Sequence, residues 1–116
     1  MELQDIRKEL DIIDDQLVAL FARRMELSGE VAAYKKAHDM PVLDASRERE
    51  KLQDIAGKTP EALQEYALSL YSLIFELSRS HQNRILGRGS ALTEDIRRAI
   101  AETIERDKQK PSSTSV

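Results

Sequence analysis

The chain has 116 residues, 41% apolar and 34% charged, with 18 Lys+Arg against 21 Asp+Glu, two histidines and no cysteine. That size suits a single domain, or an intertwined oligomer of small subunits, and excludes a multi-domain protein. A net charge of −3 gives no basic footprint for nucleic acid, and without thiols or clustered histidines there is neither a disulfide nor a zinc site to expect.

No apolar run approaches a membrane span, and the opening Met-Glu-Leu-Gln-Asp lacks the regions of a signal peptide, so a cytoplasmic setting is the default expectation. Leu3 to His38 reads as one long helix. Leu3, Ile6, Leu10, Ile13, Leu17, Leu20, Arg24, Leu27, Val31 and Tyr34 follow a 3-4 spacing, and Arg24 alone breaks the apolar series. Its 36 residues would span about 54 Å, against a diameter of roughly 35 Å for a compact chain of this length. Much of the seam would then meet water unless a second chain covered it. Ser28-Gly29 could break the helix, since an interior glycine costs roughly 1 kcal/mol relative to alanine. The seam nevertheless stays in phase through Val31 and Tyr34 with no proline between, which favours continuity.

The segment Asp39-Met40-Pro41-Val42-Leu43 is a connection, because proline lacks a donor and disfavours helix at the residue before it. Asp44 caps a second helix to about Ala56, with Gly57 as its stop. Thr59 as N-cap and Pro60 at the first position open a third helix. Its stripe is Leu63, Tyr66, Leu70, Leu73 and Leu77, widened by Ala67 and Ile74, and it runs to about Leu86, before Gly87. A last helix is expected over 93–108, capped by Thr93 and carrying Leu92, Ile96, Ile100 and Ile104; the end from Lys110 is expected to be disordered. With no strand-period segment or repeat, the class is all-α. The division expected is a main domain over 1–88 and a tail over 89–116.

Several polar residues interrupt apolar faces. On the seam, Arg24 would be costly as a lone buried cation, so either a core carboxylate pairs it, its stem carries the charge to the surface, or it binds an anion. Ser28, Val31 and Lys35 return to nearly the same face, which adds a second cation with no acid between. Arg7 lies 17 residues before Arg24, about 26 Å along the helix, so no metabolite-sized ligand touches both in one subunit. It is either a solvated arginine or a contributor to a site in a partner chain. On the third helix Ser78 and Gln82 continue the line of Ile74, where core residues are expected; on the second, Asp44, Arg47, Glu48 and Lys51 share a face that is ordinarily just solvated.

Taken together, Ile6-Arg7-Lys8-Glu9-Leu10-Asp11-Ile12-Ile13-Asp14, Leu20-Phe21-Ala22-Arg23-Arg24, Lys35, Pro41-Val42-Leu43-Asp44 with Arg47-Glu48-Arg49-Glu50, and Ser78 with Gln82 resemble the all-helical, AroQ-type chorismate mutases. The resemblance covers Leu3 to about Leu86 and is nearest to the mutase domain fused to prephenate dehydratase. It implies a three-helix fold in an intertwined homodimer, an isomerase that converts chorismate to prephenate, and no cofactor or metal. It also implies that Arg24 and the partner's Arg7 grip the two carboxylates, with Ser78 and Arg47 lining the same pocket. Glu48, with the backbone near Asp44, accepts the ring hydroxyl, and Lys35 and Gln82 donate to the ether oxygen of the breaking bond. Helix phase alone selects Lys35 over Lys36 and Arg24 over Arg23. The family pattern does not cover the tail, and the expectation is a monofunctional mutase or an excised domain without feedback control. Two other readings stand beside it, an isochorismate pyruvate lyase on the same fold and a non-catalytic helical dimer or regulator. The fuller Asp-x-x-Arg-Glu segment and Gln82 favour the mutase.

Overall fold

The computed structural model describes residues 1–88 and 94–109. Four α-helices follow in order: α1 Leu3–Ala37, α2 Ala45–Lys58, α3 Gln64–Ile85 and α4 Glu94–Gln109, with a 3-10 turn at Glu61–Leu63 before α3. There is no strand among the described residues, so the class is all-α as expected. The cap at Thr93, Leu92 and the tail from Lys110 lie outside them.

α1 is unbroken through Gly29. At its start the Asp5 carboxylate accepts the Glu2 amide at 3.3 Å, occupying a donor that the first turn leaves free. At its end Lys35 and Lys36 face the negative pole of the helix. Asp39 takes a left-handed φ of 52°, and the Met40 amide returns to the Lys35 carbonyl at 2.8 Å, so the chain has already turned when Pro41 arrives.

Asp44 caps α2 as expected, its side chain accepting from the Arg47 amide at 3.0 Å. Two boundary expectations need correction. Gly57 does not end α2, which continues to Lys58. Thr59 does not open the next helix: its hydroxyl donates back to the Ile55 carbonyl at 2.6 Å, and the Gln64 amide group donates to the Ala56 carbonyl at 2.9 Å. Both therefore close the C-terminus of α2, where carbonyls lack partners. Pro60 is extended at ψ 138°, so helix formation restarts with the 3-10 turn. α3 ends where predicted. Gly87 has φ +72°, and the amides of Gly87 and Arg88 bond to Arg84 and Asn83 at 3.1 and 2.7 Å, the pattern of a Schellman stop.

α3 is the central element, packed on α1 along one side and α2 along another, while α4 packs extensively on none of them. Buried apolar residues are few: Ala32 of α1, Val42 of the connection, Ile55 of α2 and Phe75 of α3. The predicted stripes lie elsewhere. On the single chain Leu10, Leu17 and Leu20 of α1 are 50, 55 and 67% exposed, and Leu70 and Leu73 of α3 are 52 and 49% exposed. What α3 turns inward besides Phe75 is polar: Ser78, Ser80 and Gln82. The faces that pack within the chain are thus largely those that carry the candidate functional residues.

Candidate active site

Three helices and a connection enclose a cavity of about 350 Å³, a size suited to a small metabolite. α1 contributes Arg24, Leu27, Ser28, Val31 and Lys35; the connection contributes Val42 and Asp44; α2 contributes Arg47, Glu48 and Lys51; and α3 contributes Phe75, Ser78, Arg79 and Gln82. The 3.6-residue period explains the α1 set, since 24, 28, 31 and 35 recur on one stripe. Seven of the eight predicted site residues meet here, and Arg7 does not. It is exposed on the far half of α1.

A short hydrogen-bond chain ties α1 to α3. Gln82 Nε2 donates to Ser28 Oγ at 3.0 Å, and Ser28 Oγ lies 2.6 Å from Ser78 Oγ. This locks the cavity wall across a contact with few large apolar groups. Gln82 Oε1 is buried without a partner among the described residues, while the second hydrogen on Nε2 is not used by that chain. A buried acceptor left unsatisfied costs free energy, and such a group is more often found where a ligand or water completes it than in an ordinary core.

Arg24 resolves the first of the open alternatives. It forms no ion pair among the described residues, and its guanidinium lies 5.6 Å from the centroid of the Phe75 ring. The contact supports the cation from beneath and leaves its donors for an anion. Lys35 donates from Nζ to the Val42 carbonyl, which pins the connection to α1 and holds the ammonium at the cavity. On α2, Lys51 bonds the Asp54 carboxylate at 3.1 Å. Hydrogen bonds from Lys58 and Lys51 hold that carboxyl below its usual range.

Arg79 and Phe75 were not anticipated as site residues. Arg79 donates to both carboxylate oxygens of Glu48, with Oε2 at 2.6 Å. The only sequence signal was its position next to Ser78; that α2 would bring Glu48 to it is a tertiary fact. Phe75 lies outside the predicted apolar stripe of the third helix, and nothing in the sequence singles it out. Counting charges, Arg24, Lys35, Arg47, Lys51 and Arg79 face Asp44 and Glu48 around the cavity, five positive against two negative, a local +3 on a chain whose net charge is −3. Asp44 also spends one oxygen as a helix cap. Such a basin, walled by Leu27, Val31, Val42 and Phe75, is electrostatically complementary to a small organic polyanion.

Fold and cavity thus define an all-helical protein that concentrates cations around a small, part-apolar pocket. The chain belongs to the chorismate mutase type II family, whose model matches residues 6–83. It is 35% identical over 83 residues to the bifunctional chorismate mutase/prephenate dehydratase of Escherichia coli, covering 70% of this chain and 22% of that protein. It is 41% identical over 51 residues to the T-protein of Haemophilus influenzae, covering 44% of this chain and 14% of that one. A 4-amino-4-deoxychorismate mutase of Streptomyces venezuelae is 30% identical over 99 residues, which is 83% of this chain and 95% of the relative. The chain therefore spans less than a quarter of the two larger relatives and nearly all of the Streptomyces one. No solved structure matches.

Proposed function

We propose that this chain is a chorismate mutase, rearranging chorismate to prephenate in aromatic amino-acid biosynthesis. The observation that carries the reading is the convergence of Arg24, Lys35, Arg47, Ser78 and Gln82, from three helices, on one cavity inside the family-matched segment.

The reaction is intramolecular. It breaks the ether C–O bond as a C–C bond forms, with no net proton transfer, nucleophile or redox step. Two things lower its barrier: holding the enolpyruvyl arm over the ring, and stabilising the negative charge that gathers on the ether oxygen. Arg24 and Arg47 hold carboxylate in this reading, because a planar guanidinium matches a carboxylate fork. The Phe75 ring, 5.6 Å from the Arg24 guanidinium, supports the first of these by a cation–π contact. Lys35 and the Gln82 amide donate to the ether oxygen. Ser28, bonded to both Gln82 and Ser78, fixes the Gln82 amide so that little reorganisation remains at the transition state. Glu48 accepts the ring hydroxyl.

The functional unit in this reading is a homodimer in which paired α1 helices cover each other's exposed seams and the partner's Arg7 completes each site. The half-exposed leucines of α1 and α3 support it, as does Arg7's distance from its own cavity. A cytoplasmic setting accompanies the reading, since substrate and product are water-soluble intermediates; no described helix is long and apolar enough to cross a membrane.

The test is to follow the loss of chorismate absorbance with purified protein. Saturable turnover with prephenate as product is expected. Release of pyruvate from isochorismate with no action on chorismate would point to the lyase, and no turnover of either would leave a non-catalytic helical module.

A further inference from the structure

Arg79 reaches the cavity from α3, one residue past Ser78 and three before Gln82. Its Nη1 donates to both oxygens of Glu48, and the two side chains are 30 and 25% exposed. The pair is partly withdrawn from water, so charges near it are screened less than at the surface. A carboxylate offers about four lone-pair sites. Glu48 can therefore hold Arg79 and still accept from one neutral hydroxyl.

The balance changes if the ligand group is a cation. Glu48 alone would attract an ammonium, whereas Glu48 already neutralised by a guanidinium gains little from it, and the guanidinium repels it from one carboxylate away. Lys51, on the same cavity wall, is itself offset by Asp54 at 3.1 Å, so the discrimination falls to Arg79. Hydroxyl and amine are nearly the same size, so shape offers little discrimination and charge must supply it. The question is a real one for this fold, since the Streptomyces relative is named for the 4-amino compound.

We propose that Arg79 is a specificity-determining residue: by occupying Glu48, it makes the site accept a neutral hydroxyl at ring position 4 and reject the ammonium of the 4-amino analogue. This rests on reading the cavity as the chorismate site with Glu48 at the ring hydroxyl.

The experiment measures kcat/KM for chorismate and for 4-amino-4-deoxychorismate with the parent protein and with Arg79→Gln, Arg79→Met and Arg79→Lys, each checked for helical content by circular dichroism. The ratio of amino substrate to chorismate should rise roughly tenfold in the Gln and Met variants, a modest effect for two like charges this close in a half-open site. It should stay near the parental value in Arg79→Lys, which keeps the charge. A purely structural role would lower both substrates in parallel, and an unchanged ratio with chorismate still consumed overturns the inference alone. The parent protein gives an independent reading: its ratio should climb as pH rises and the ligand amine loses its proton, and a flat profile would also overturn it. Failure of the parent to consume chorismate would instead overturn the mutase reading, and this inference with it.

Discussion

Lys35 carries the sharpest expectation for a single residue. Its ammonium stands at the cavity, held by the Val42 carbonyl, and in the proposed mechanism it meets charge that exists only in the transition state. Lys35→Ala should therefore depress kcat by roughly a hundredfold, about 3 kcal/mol, with a much smaller effect on unfolding. Steady-state kinetics beside a denaturation curve checks this, and near-parental kcat would contradict the assignment. Arg24 makes a related point. As an arginine on an apolar seam it left several explanations open, and its place over Phe75 with no carboxylate partner among the described residues leaves the core ion pair unsupported. Ser78 and Gln82, polar residues on a line where core residues are expected, are bonded through Ser28 into the wall of the cavity.

Among the elements, α1 has the most to explain, because its glycine lies where a break was conceivable. Gly29 sits against the end of α3: a Cβ there would come within 3.2 Å of Ile85 Cδ1 and 3.9 Å of His81 Nε2. The nearer atom is the tip of a half-exposed side chain near a helix end, 50% accessible, and can give way. Gly29→Ala should accordingly stabilise the protein, by up to about 1 kcal/mol, since alanine gains helix propensity and the contact relaxes. Urea unfolding of the two proteins decides it; a clear loss of stability would mean that the α1–α3 contact cannot yield. The boundaries of α2 carry a different lesson. Gly57 and Thr59-Pro60 looked like a stop followed by a start. Instead glycine is carried inside the helix, and Thr59 and Gln64 bond backward to its last carbonyls. Glycine tolerates a helix when its exposed end is capped from beyond, which local propensity does not reveal.

At the scale of the whole molecule, the chain is extended rather than compact. Its radius of gyration is 17.4 Å and its longest extent 53 Å, against about 13 Å expected of a compact domain of roughly this length. The long apolar seam is where the proposed partner lies, and the shared site yields a test that no single-chain model passes. Arg7→Ala and Lys35→Ala chains, each strongly impaired alone, should regain activity above the sum of the two when mixed under conditions of subunit exchange, because one of the two sites in a mixed dimer keeps both residues. Absence of recovery, with exchange shown by a mass-tagged subunit, would count against the shared site.

What the residues determine by themselves follows from local rules. Helical periodicity sets the class and the length of α1, the short-range chemistry of Asp44 and Gly87 sets where α2 begins and α3 ends, and the one-turn recurrence of Arg24, Ser28, Val31 and Lys35 puts them on one face. All eight candidate site residues took their roles from the family resemblance, and seven of them line the one cavity. What only the tertiary structure decided is pairing across helices: Arg79 with Glu48, Ser28 with Ser78 and Gln82, Arg24 over Phe75. Those contacts join residues 31 to 54 positions apart, and such separations leave no periodic trace, because a period reports the face a side chain occupies but not what the opposing element brings to meet it.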